Sequence, residues 1–470
     1  MKQPLQDFSG RGCFIYVEEI ICIWYNKFIK CNNNPRLERI MDMNSEKLLA
    51  KLKAFDPELC GELQGILSHQ RKTLSLIPTT NAASPFAAYL KGSTLGDEII
   101  DHHDAEEYSS LERIAAGRAA KLFGADHAIV RTGSLAIASR VVMLGLLEKG
   151  DTVLSFNLRK SEHCTGELQY NFVKFSLEPD TMALDFAKVR ALAEQHKPRV
   201  IIYSPVNYPK NIDYSKLRQI ADAVGAYLWI DLGQNSGLIA TGKIPSPVPY
   251  ADVATFAGSD ALHGPQNGII LCKEKLAERL DSTVVETGHS SLKKNVLASL
   301  GIIFKEAECD EYQAYAQQVL DNARALEEGL LEAGCKLLCS PTQNHLVLVE
   351  LSSGMDGAEA AAKLDDAGLL VKAERLLTAD DSISYPILRL SSLDSATRYV
   401  SAEEMKEVGR VLGQFLKSPQ DEVAVKTVSK FIKKLVEDLP LFAEDWLPEL
   451  EAMDEGDAEI AMRAMIHWNI

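Results

Sequence analysis

Residues 199–231 read RVIIYSPVNYPKNIDYSKLRQIADAVGAYLWID, and this stretch decides the predicted fold. Two runs rich in β-branched and aromatic residues, Arg199–Ser204 and Tyr227–Asp231, flank a helical pattern from Tyr214 to Val224. A strand, a helix and a second strand in this order form one unit of a parallel sheet, because parallel neighbours need a crossover connection. The stretch therefore predicts an α/β protein.

The same alternation continues on both sides of this stretch. A capping-box pattern at Ser109-Ser-Leu-Glu112 predicts the start of a helix that runs from Arg113 to Leu122 and stops at Gly124. We expect a mostly parallel sheet that is covered by helices on both faces. The other predicted elements of this sheet region are strands at His127–Val130, Thr152–Phe156, Asp252–Phe256 and Gly268–Cys272, and a helix at Asp185–Gln195.

A second, smaller α+β unit is predicted after a long helical region from Ser290 to Leu331. Its elements are a strand at His345–Leu351, a helix at Gly357–Ala367, a strand near Ile387–Leu390 and a helix at Ala402–Leu416. The expected domains are an N-terminal extension (1–43), a helical arm (44–75), a large domain (76–330), a small domain (331–418) and an acidic tail (419–470). Beyond Lys434 the tail has ten acidic residues and one basic residue, and we expect a solvated appendage that packs a few aromatic side chains.

Charge and cysteine content exclude several functional classes. The formal net charge of −16 argues against broad binding to nucleic acid or to an anionic membrane, because phosphate binding needs clustered cations. The apolar stretch Cys13–Tyr25 is short and contains Glu18 and Glu19, so a membrane span is not expected. Nine cysteines without a Cys-x-x-Cys array indicate reduced thiols, a cytoplasmic location and no structural metal site.

A series of short motifs from Leu76 to Leu416 resembles the serine hydroxymethyltransferases in order and spacing. This resemblance implies the fold of the aspartate-aminotransferase group, with a seven-stranded type of sheet, pyridoxal phosphate as cofactor, an amino acid as substrate and a homodimer with interfacial active sites. The motifs are Leu76–Ser84, Gly92-Ser93, Lys121–Ala125, Gly150–Thr152, Tyr208–Asp213, Ile220–Leu228, Pro245–Pro249, Asn344–Leu348 and Leu388–Leu390.

Asp260 is the main departure from that family. The stretch ADVATFAGSDALHGPQNG, residues 251–268, resembles the family segment that carries the cofactor-binding lysine, and Asp260 stands at the lysine position. A carboxylate cannot form a Schiff base, but in a desolvated pocket its pKa would rise and it could act as a general base. Pyridoxal or pyridoxamine phosphate would then be held without a covalent bond, unless Lys160 or Lys210 replaces the missing lysine.

The resemblance also assigns the rest of the pocket. Asp231 matches the carboxylate that holds the pyridine nitrogen protonated, and a helix N-cap after the strand is the competing interpretation. His163 matches the histidine that stacks on the ring, although it could equally be a surface histidine. Ser134, with Gly133 and Ala136, would bind the phosphate at a helix N-terminus, or Ser134 would be an ordinary N-cap. Further cofactor-binding positions are Gln234 and Gly268, and the substrate-binding positions are Arg389, which would bind the carboxylate, Tyr208 and Ser84.

Further differences from the family cluster around this pocket. Thr80 replaces a glutamate that handles protons, Gln234 a histidine and Val206 a serine. His263 and Gln266 replace two arginines, the segment Leu95–Asp104 is rewritten and the folate-enclosing loop is changed around Ala373 to Ser384. We therefore do not expect folate to be used in the usual way.

Three hypotheses follow from the sequence. The first is an enzyme that acts on an amino acid by one-carbon or aldol-type transfer, with Asp260 and His163 as catalytic residues. The second is a catalytically inactive homologue with a ligand-binding or regulatory role. The third is a cofactor-independent enzyme that uses Asp260, His263 and the pair His102-His103. The assigned position of Asp231 favours a pyridine cofactor over the third hypothesis.

Overall fold

The structure is a computed structural model that describes residues 45–96, 105–156, 169–179, 181–288, 293–352, 354–377 and 384–447. The described part before residue 65 contains helix α1 (Ser45–Phe55) and the beginning of helix α2 (Pro57–Lys72). Among the described residues no helix is both long and apolar enough to cross a membrane. The remaining elements from residue 65 onward form the body that carries the candidate site.

The elements of the larger part alternate between strands and helices along the chain, as the sequence predicts. They are β1 (Leu74–Ser75), α3 (Pro85–Lys91), α4 (Ala105–Phe123), β2 (His127–Thr132), α5 (Leu135–Leu146), β3 (Thr152–Phe156), β4 (Asn171–Phe175), α6 (Phe186–His196), β5 (Val200–Tyr203), α7 (Tyr214–Val224), β6 (Tyr227–Asp231), α8 (Ser236–Ala240), β7 (Val253–Ala257), β8 (Gly268–Cys272), α9 (Glu274–Glu286), α10 (Lys294–Glu306) and α11 (Asp310–Glu332).

Seven strands form the central sheet in the order β2-β8-β7-β6-β5-β3-β4. β3, β4, β5, β6 and β7 pair in parallel, whereas β8 is antiparallel to both of its neighbours, β7 and β2. The predicted fold class, an α/β protein with a mostly parallel sheet, is confirmed. The antiparallel direction of β8 brings its first residue to the edge where the parallel strands end.

Alternate residues of each central strand enter the core on opposite faces of the sheet, as strand geometry requires. Val200 and Ile202 of β5 pack in the cluster that contains α5 and α9. Ile201 and Tyr203 pack in the cluster on the other face, which contains α10 and α11. Burial on both faces explains why these strands read as continuous apolar runs in the sequence.

The smaller sheet is antiparallel, has the order β12-β13-β10-β9 and has a core of its own. In addition, β1 pairs in parallel with β11. The elements of this part are β9 (Leu337–Leu338), β10 (Leu346–Glu350), α12 (Gly357–Asp366), β11 (Leu369–Leu370), β12 (Lys372–Leu377), β13 (Ser384–Ser391), α13 (Leu393–Thr397), α14 (Ala402–Lys417) and α15 (Glu422–Val436).

Some predicted elements differ from the structure. Helix α4 begins at Ala105, so Ser109-Ser-Leu-Glu112 is not its start; the preceding Ala-Glu-Glu-Tyr residues are adequate helix formers and extend it. The helical region predicted from Ser290 to Leu331 contains two helices among the described residues, α10 and α11. Strand β4 was not predicted, because it lies at the sheet edge and its side chains are mostly only half-buried.

The first part of the predicted tail packs against the protein. Val428, Ile432 and Val436 form the buried face of α15. Trp446 is buried as well, and its indole nitrogen donates a hydrogen bond to the carbonyl of Ala396 at 2.9 Å. This aromatic packing agrees with what the sequence indicates for the tail, although α15 is more extensively packed than a solvated appendage would be.

Candidate active site

The candidate site lies at the edge where β5, β6 and β7 end and β8 begins. Ser204 follows β5, Asp231 is the last residue of β6 and Asp260 lies in the connection between β7 and β8. Ligands of open α/β sheets bind outside the carboxyl ends of the strands. The topology therefore gathers these polar residues where a ligand is expected.

Asp231 is a buried carboxylate with two neutral hydrogen-bond donors. Its side chain is 1% exposed; Ser204 Oγ donates to Oδ2 at 3.0 Å and the backbone N–H of Gly233 donates to Oδ1 at 3.1 Å. Gly233 has a φ of 54°, and a Cβ there would lie 3.3 Å from Cγ2 of Val206. The bond to Gly233 shows that Asp231 caps a turn, and that role is compatible with binding a cation through the same carboxylate.

Asp260 is held in a left-handed backbone conformation with a φ of 59°. Its carbonyl accepts a hydrogen bond from Nδ2 of Asn81 at 2.8 Å, and Oδ1 accepts one from the hydroxyl of Ser259 at 3.3 Å. Aspartate tolerates this conformation better than most residues with a side chain, whereas a lysine would be strained in it. The backbone shape at this position is therefore compatible with the residue that the sequence has.

The carboxyl of Asp260 has a perturbed pKa and is electrostatically coupled to its neighbours. Burial is the main cause that raises the pKa to about 6, and the negative charge of Asp231 raises it further. A hydrogen bond from Ser259, the positive charge of Arg389 and a hydrogen bond from Gln234 act in the opposite direction. A carboxyl group that titrates near pH 6 can give up or accept a proton near neutral pH.

Gln234 links the two carboxyl groups. It follows Asp231 by three residues in the chain, and its side chain hydrogen-bonds to Asp260. It is 8% exposed, and its buried Oε1 has no hydrogen-bond partner among the described residues. The Oδ1 of Asn235 and the Oγ of Ser236 are likewise buried without a protein partner. Such atoms normally find a donor, so these orphaned oxygens are consistent with a bound polar group.

Arg389 of β13 is also buried, at 2% exposure, and its guanidinium has several protein partners. Nη1 donates to the carbonyl of Val206 at 2.9 Å and to Oδ1 of Asn207 at 2.8 Å. Nε lies 3.2 Å from Oε2 of Glu374, whose side chain is 4% exposed. The sequence did not single out Glu374. It lies diagonally across the strand pair from Arg389, because Lys372 is directly opposite Arg389, and only the strand register shows this.

The N-terminus of α5 opens beside the start of β8. Oγ of Ser134 accepts from the backbone N–H of Ile137 at 3.2 Å, so Ser134 is the N-cap. Gly133 and Ala136 are exposed, and a Cβ at Gly133 would have only Ile137 Cδ1 within 4 Å, at 3.9 Å. A helix of this length offers backbone N–H groups and a partial positive charge to an anion.

Gly268 makes this arrangement possible. A Cβ at Gly268 would lie 2.3 Å from the carbonyl oxygen of Ser134 and 2.6 Å from Oγ1 of Thr132. The hydroxyl of Thr132 donates to the carbonyl of Gly268 at 2.6 Å. Close approach of two backbone segments therefore fixes the helix N-terminus against the central sheet.

Tyr208 and Ser84, which were predicted to line the substrate pocket, have other protein partners. The phenol of Tyr208 donates to the carbonyl of Met182 at 3.2 Å, and burial raises its pKa to about 12. The hydroxyl of Ser84 caps α3 and donates to Oε1 of Glu306 at 2.9 Å. Thr80 is exposed. His163 and the pair His102-His103 lie outside the described residues.

His263 belongs to a buried network behind Asp260. Its Nε2 lies 2.9 Å from Oγ1 of Thr397, and that hydroxyl donates to Oδ1 of Asn81 at 2.7 Å. The imidazole ring also contacts Tyr315 and Phe442, with ring centroids 4.5 and 5.1 Å away. Complete burial lowers the pKa of His263 to about 3, so the imidazole is neutral at physiological pH.

These residues fit a pyridine ring that carries a phosphate. Asp231 offers a carboxylate to a protonated ring nitrogen, and the open N-terminus of α5 at Gly133 offers donors to a phosphate. Oε1 of Gln234, three residues after Asp231, is a buried acceptor that a donor on such a ligand could satisfy. No cluster of metal-binding side chains is found among the described residues.

Comparisons with known proteins give one consistent result. The family model of serine hydroxymethyltransferase matches residues 52–412. A serine hydroxymethyltransferase of Myxococcus xanthus is 34% identical over 408 residues, which cover 83% of this chain and 98% of that protein. The matched range contains Ser134, Asp231, Asp260 and Arg389.

Proposed function

Because this chain belongs to the serine hydroxymethyltransferase family, we propose that it holds pyridoxal phosphate or pyridoxamine phosphate without a covalent bond and acts on an amino acid. The proposed reaction is a one-carbon (hydroxymethyl) or aldol-type transfer. The observation that carries the proposal is the coupling of Asp260, with its pKa of about 6, to Asp231 and Arg389 in one buried cluster. An aspartate at this position can move protons, but it cannot form an imine.

Asp231 and the N-terminus of α5 would hold the cofactor. The carboxylate of Asp231 would pair with the protonated ring nitrogen, and Ser204 would keep that carboxylate oriented. The backbone around Gly133, Ser134 and Ala136 would bind the phosphate. When bound, the cofactor supplies a conjugated ring that accepts the electron pair released at the substrate's α-carbon. His163 would stack on the ring.

Asp260 would take the place of a free amine in proton transfer. In its charged form the carboxylate would accept a proton from the α-carbon of the substrate, and in its neutral form it would return one. Gln234 and Ser259 donate hydrogen bonds to this carboxyl and would orient it. Pyridoxamine phosphate should bind more tightly on electrostatic grounds, because its ammonium group would face a carboxylate, whereas the reaction with an amino acid would need the aldehyde of pyridoxal phosphate.

The remaining assignments are also part of the proposal. Arg389 would lie near the carboxylate end of the substrate, and Tyr208 and Ser84 would act by shaping the wall of the pocket, since their hydroxyl groups bond to Met182 and Glu306. We also propose a cytoplasmic homodimer with active sites at the subunit interface, and a reaction that does not use folate in the usual way. Light scattering of the purified protein tests the dimer.

Absorbance titration with pyridoxal phosphate and with pyridoxamine phosphate, followed by borohydride treatment and intact-mass measurement, tests the proposal. We expect saturable binding of both compounds and no added mass on the wild-type chain after reduction. Asp260→Lys is the matched control, because it restores a lysine at the same position and should acquire the cofactor mass. Added mass on a lysine of the wild-type chain would disprove non-covalent binding, and failure to bind either compound would remove the cofactor from the proposal.

A catalytically inactive, ligand-binding homologue is the second candidate. The ion pair between Glu374 and Arg389 favours it, because this pair engages the arginine that would bind the substrate carboxylate. Cofactor binding without amino-acid-dependent change in the absorbance spectrum would support it. The cofactor-independent alternative is less favoured, since His263 is neutral and hydrogen-bonds to Thr397.

A further inference from the structure

Both carboxylate oxygens of Glu374 face cations. Oε2 lies 3.2 Å from Nε of Arg389, and Oε1 lies 3.4 Å from Nζ of Lys372. The side chains of Glu374 and Arg389 are 4% and 2% exposed, whereas Lys372 is half exposed. A buried carboxylate with two cationic neighbours is difficult to displace, because its removal would leave Arg389 without this counter-charge.

The guanidinium of Arg389 has two edges that could bind a carboxylate through two parallel N–H bonds. One edge is formed by Nε and Nη2, and Nε lies 3.2 Å from Oε2 of Glu374 in an ion pair that does not have hydrogen-bond geometry. The other edge is formed by Nη1 and Nη2, and Nη1 already donates to the carbonyl of Val206 and to Asn207. A ligand carboxylate could therefore bind in the bidentate manner only by displacing a protein partner.

The charges around Arg389 also disfavour a ligand carboxylate. The charges of Arg389 and Asp231 both act on Asp260, and Glu374 adds a third carboxyl group beside Arg389. Arg389 and the half-exposed Lys372 are cations next to these carboxyl groups, and the charge of Lys372 is weakened by solvent. A ligand with a further carboxylate would add repulsion, and a ligand with an ammonium group and no carboxylate would not.

We propose that Glu374 is a specificity-determining residue: by engaging Arg389 it removes the advantage of an α-carboxylate, so that the pocket binds primary amines without this group at least as tightly as amino acids. This inference rests on the proposed binding of a pyridine cofactor. It extends the substrate class from amino acids to simple amines, and it identifies a side chain that sets the preference.

Two stable probes test the inference directly. They are the reduced adducts of pyridoxal phosphate with glycine and with methylamine, which share the ring, the phosphate and the secondary amine but differ in the carboxylate. Calorimetric titration of the wild-type protein should give a dissociation constant for the methylamine adduct no higher than that for the glycine adduct. A measurably lower dissociation constant for the glycine adduct would overturn the inference without any variant.

Glu374→Gln provides the second comparison, with Glu350→Gln as the control. Glu350 lies on β10, two strands from Glu374 in the same sheet, and pairs with the exposed Lys336, outside the candidate site. Glu374→Gln should strengthen binding of the glycine adduct about tenfold and change the methylamine adduct by less than about threefold, whereas Glu350→Gln should change neither. An unchanged ratio in a folded Glu374→Gln protein would contradict the inference.

A variant that fails to fold can be distinguished from a site that fails to bind. If Glu374→Gln does not fold, Glu374→Asp replaces it. This variant keeps the charge but shortens the reach to Arg389, so it should shift the ratio of the two dissociation constants in the same direction. The ratio measured on the wild-type protein decides the question even without a variant. If neither adduct binds the wild-type protein, the proposed cofactor site itself is wrong and the inference falls with it. Binding of both adducts with the glycine adduct preferred would overturn only the inference.

Discussion

The hydroxyl of Ser204 donates a hydrogen bond to Oδ2 of Asp231 at 3.0 Å and so connects the ends of two neighbouring strands. If Asp231 pairs with a protonated ring nitrogen, this bond keeps the carboxylate correctly oriented. We predict that Ser204→Ala weakens the binding of pyridoxamine phosphate by about 1 kcal/mol, whereas Asp231→Asn weakens it by about 3 kcal/mol. Fluorescence titration measures both effects.

Ser299→Ala is the control for this pair of variants. Ser299 is as deeply buried, and its hydroxyl donates to backbone carbonyls at 2.8 and 3.0 Å, but it lies outside the candidate site. It should lower the free energy of unfolding without changing ligand affinity. Equal affinities of wild type and Asp231→Asn would show that Asp231 only caps its turn.

Asp260 should make the protein less stable as the pH rises from about 4 to about 6. Burial raises the pKa of Asp260 from 3.8 to about 6, so in this range the folded state holds a proton that the unfolded state has lost. We predict that Asp260→Asn abolishes this loss and is more stable than wild type at pH 7.5 by about 1–2 kcal/mol, a value reduced for partial solvation. Urea unfolding at pH 4.5 and 7.5 measures the difference, with the exposed Asp366→Asn as the control.

The same titration should appear in activity, if the protein turns over. Asp260 acts as a base only in its charged form, so the rate should increase as the pH rises through about 6. The Asp260→Asn protein should lose this rise in rate with pH together with most of its activity. A wild-type pH profile without a rise near pH 6, or full activity of Asp260→Asn, would exclude Asp260 as the base.

Gly268→Ala should damage the phosphate site and the fold together. Its Cβ would overlap the carbonyl of Ser134 at 2.3 Å, and neither backbone segment can move without shifting the start of α5. We predict a loss of about 2 kcal/mol in unfolding free energy and about tenfold weaker binding of pyridoxamine phosphate. Gly117→Ala is the control, because a Cβ there meets nothing within 4 Å and an added methyl group in helix α4 should be neutral or stabilising.

His263 should destabilise the protein in acid. Its pKa is lowered from 6.5 to about 3 by burial, so below pH 6.5 the unfolded chain binds a proton that the folded chain does not. The stability that the neutral imidazole contributes is therefore complete above pH 6.5 and decreases as the pH falls. We predict that the drop in unfolding free energy between pH 7 and pH 5 is smaller in His263→Phe by about 1–2 kcal/mol, measured by urea unfolding.

The exposed His196→Phe serves as the control for this comparison. An equal drop in unfolding free energy in wild type and His263→Phe would mean that His263 binds its proton as readily in the folded as in the unfolded state, and is therefore protonated at pH 5. That result would also restore His263 as a candidate acid or base, in agreement with the cofactor-independent hypothesis.

The strands of the central sheet were predicted well because each can be recognised from its own residues and those next to it. β3, β6 and β8 have the predicted bounds, since each is an apolar run that ends at a polar residue, a turn or a glycine. The start of α4 was missed because a Ser-x-x-Glu pattern inside a helix cannot be distinguished from one at its beginning when helix formers precede it. Side-chain pairing between strands is not local in this way.

The candidate site was predictable only in part for the same reason. Asp231 and Asp260 were found through their place after a strand and within a family segment, and the structure places both in one electrostatic cluster. Glu374 was not found, because its contact with Arg389 depends on the register of β12 and β13. Asn81, which fixes the backbone of Asp260 from a distance of 179 residues in the chain, was also beyond the reach of sequence patterns.

The antiparallel direction of β8 has an evolutionary consequence. Asp260 lies in a ten-residue connection, 258–267, whose ends are joined by the pairing of Ala257 with Gly268 and by a hydrogen bond from Gly258 to Asn267 at 3.0 Å. Because the sheet fixes both ends of this connection, a substitution at position 260 need not move either end. The chemistry at this position can therefore change in evolution while the strands on both sides stay paired.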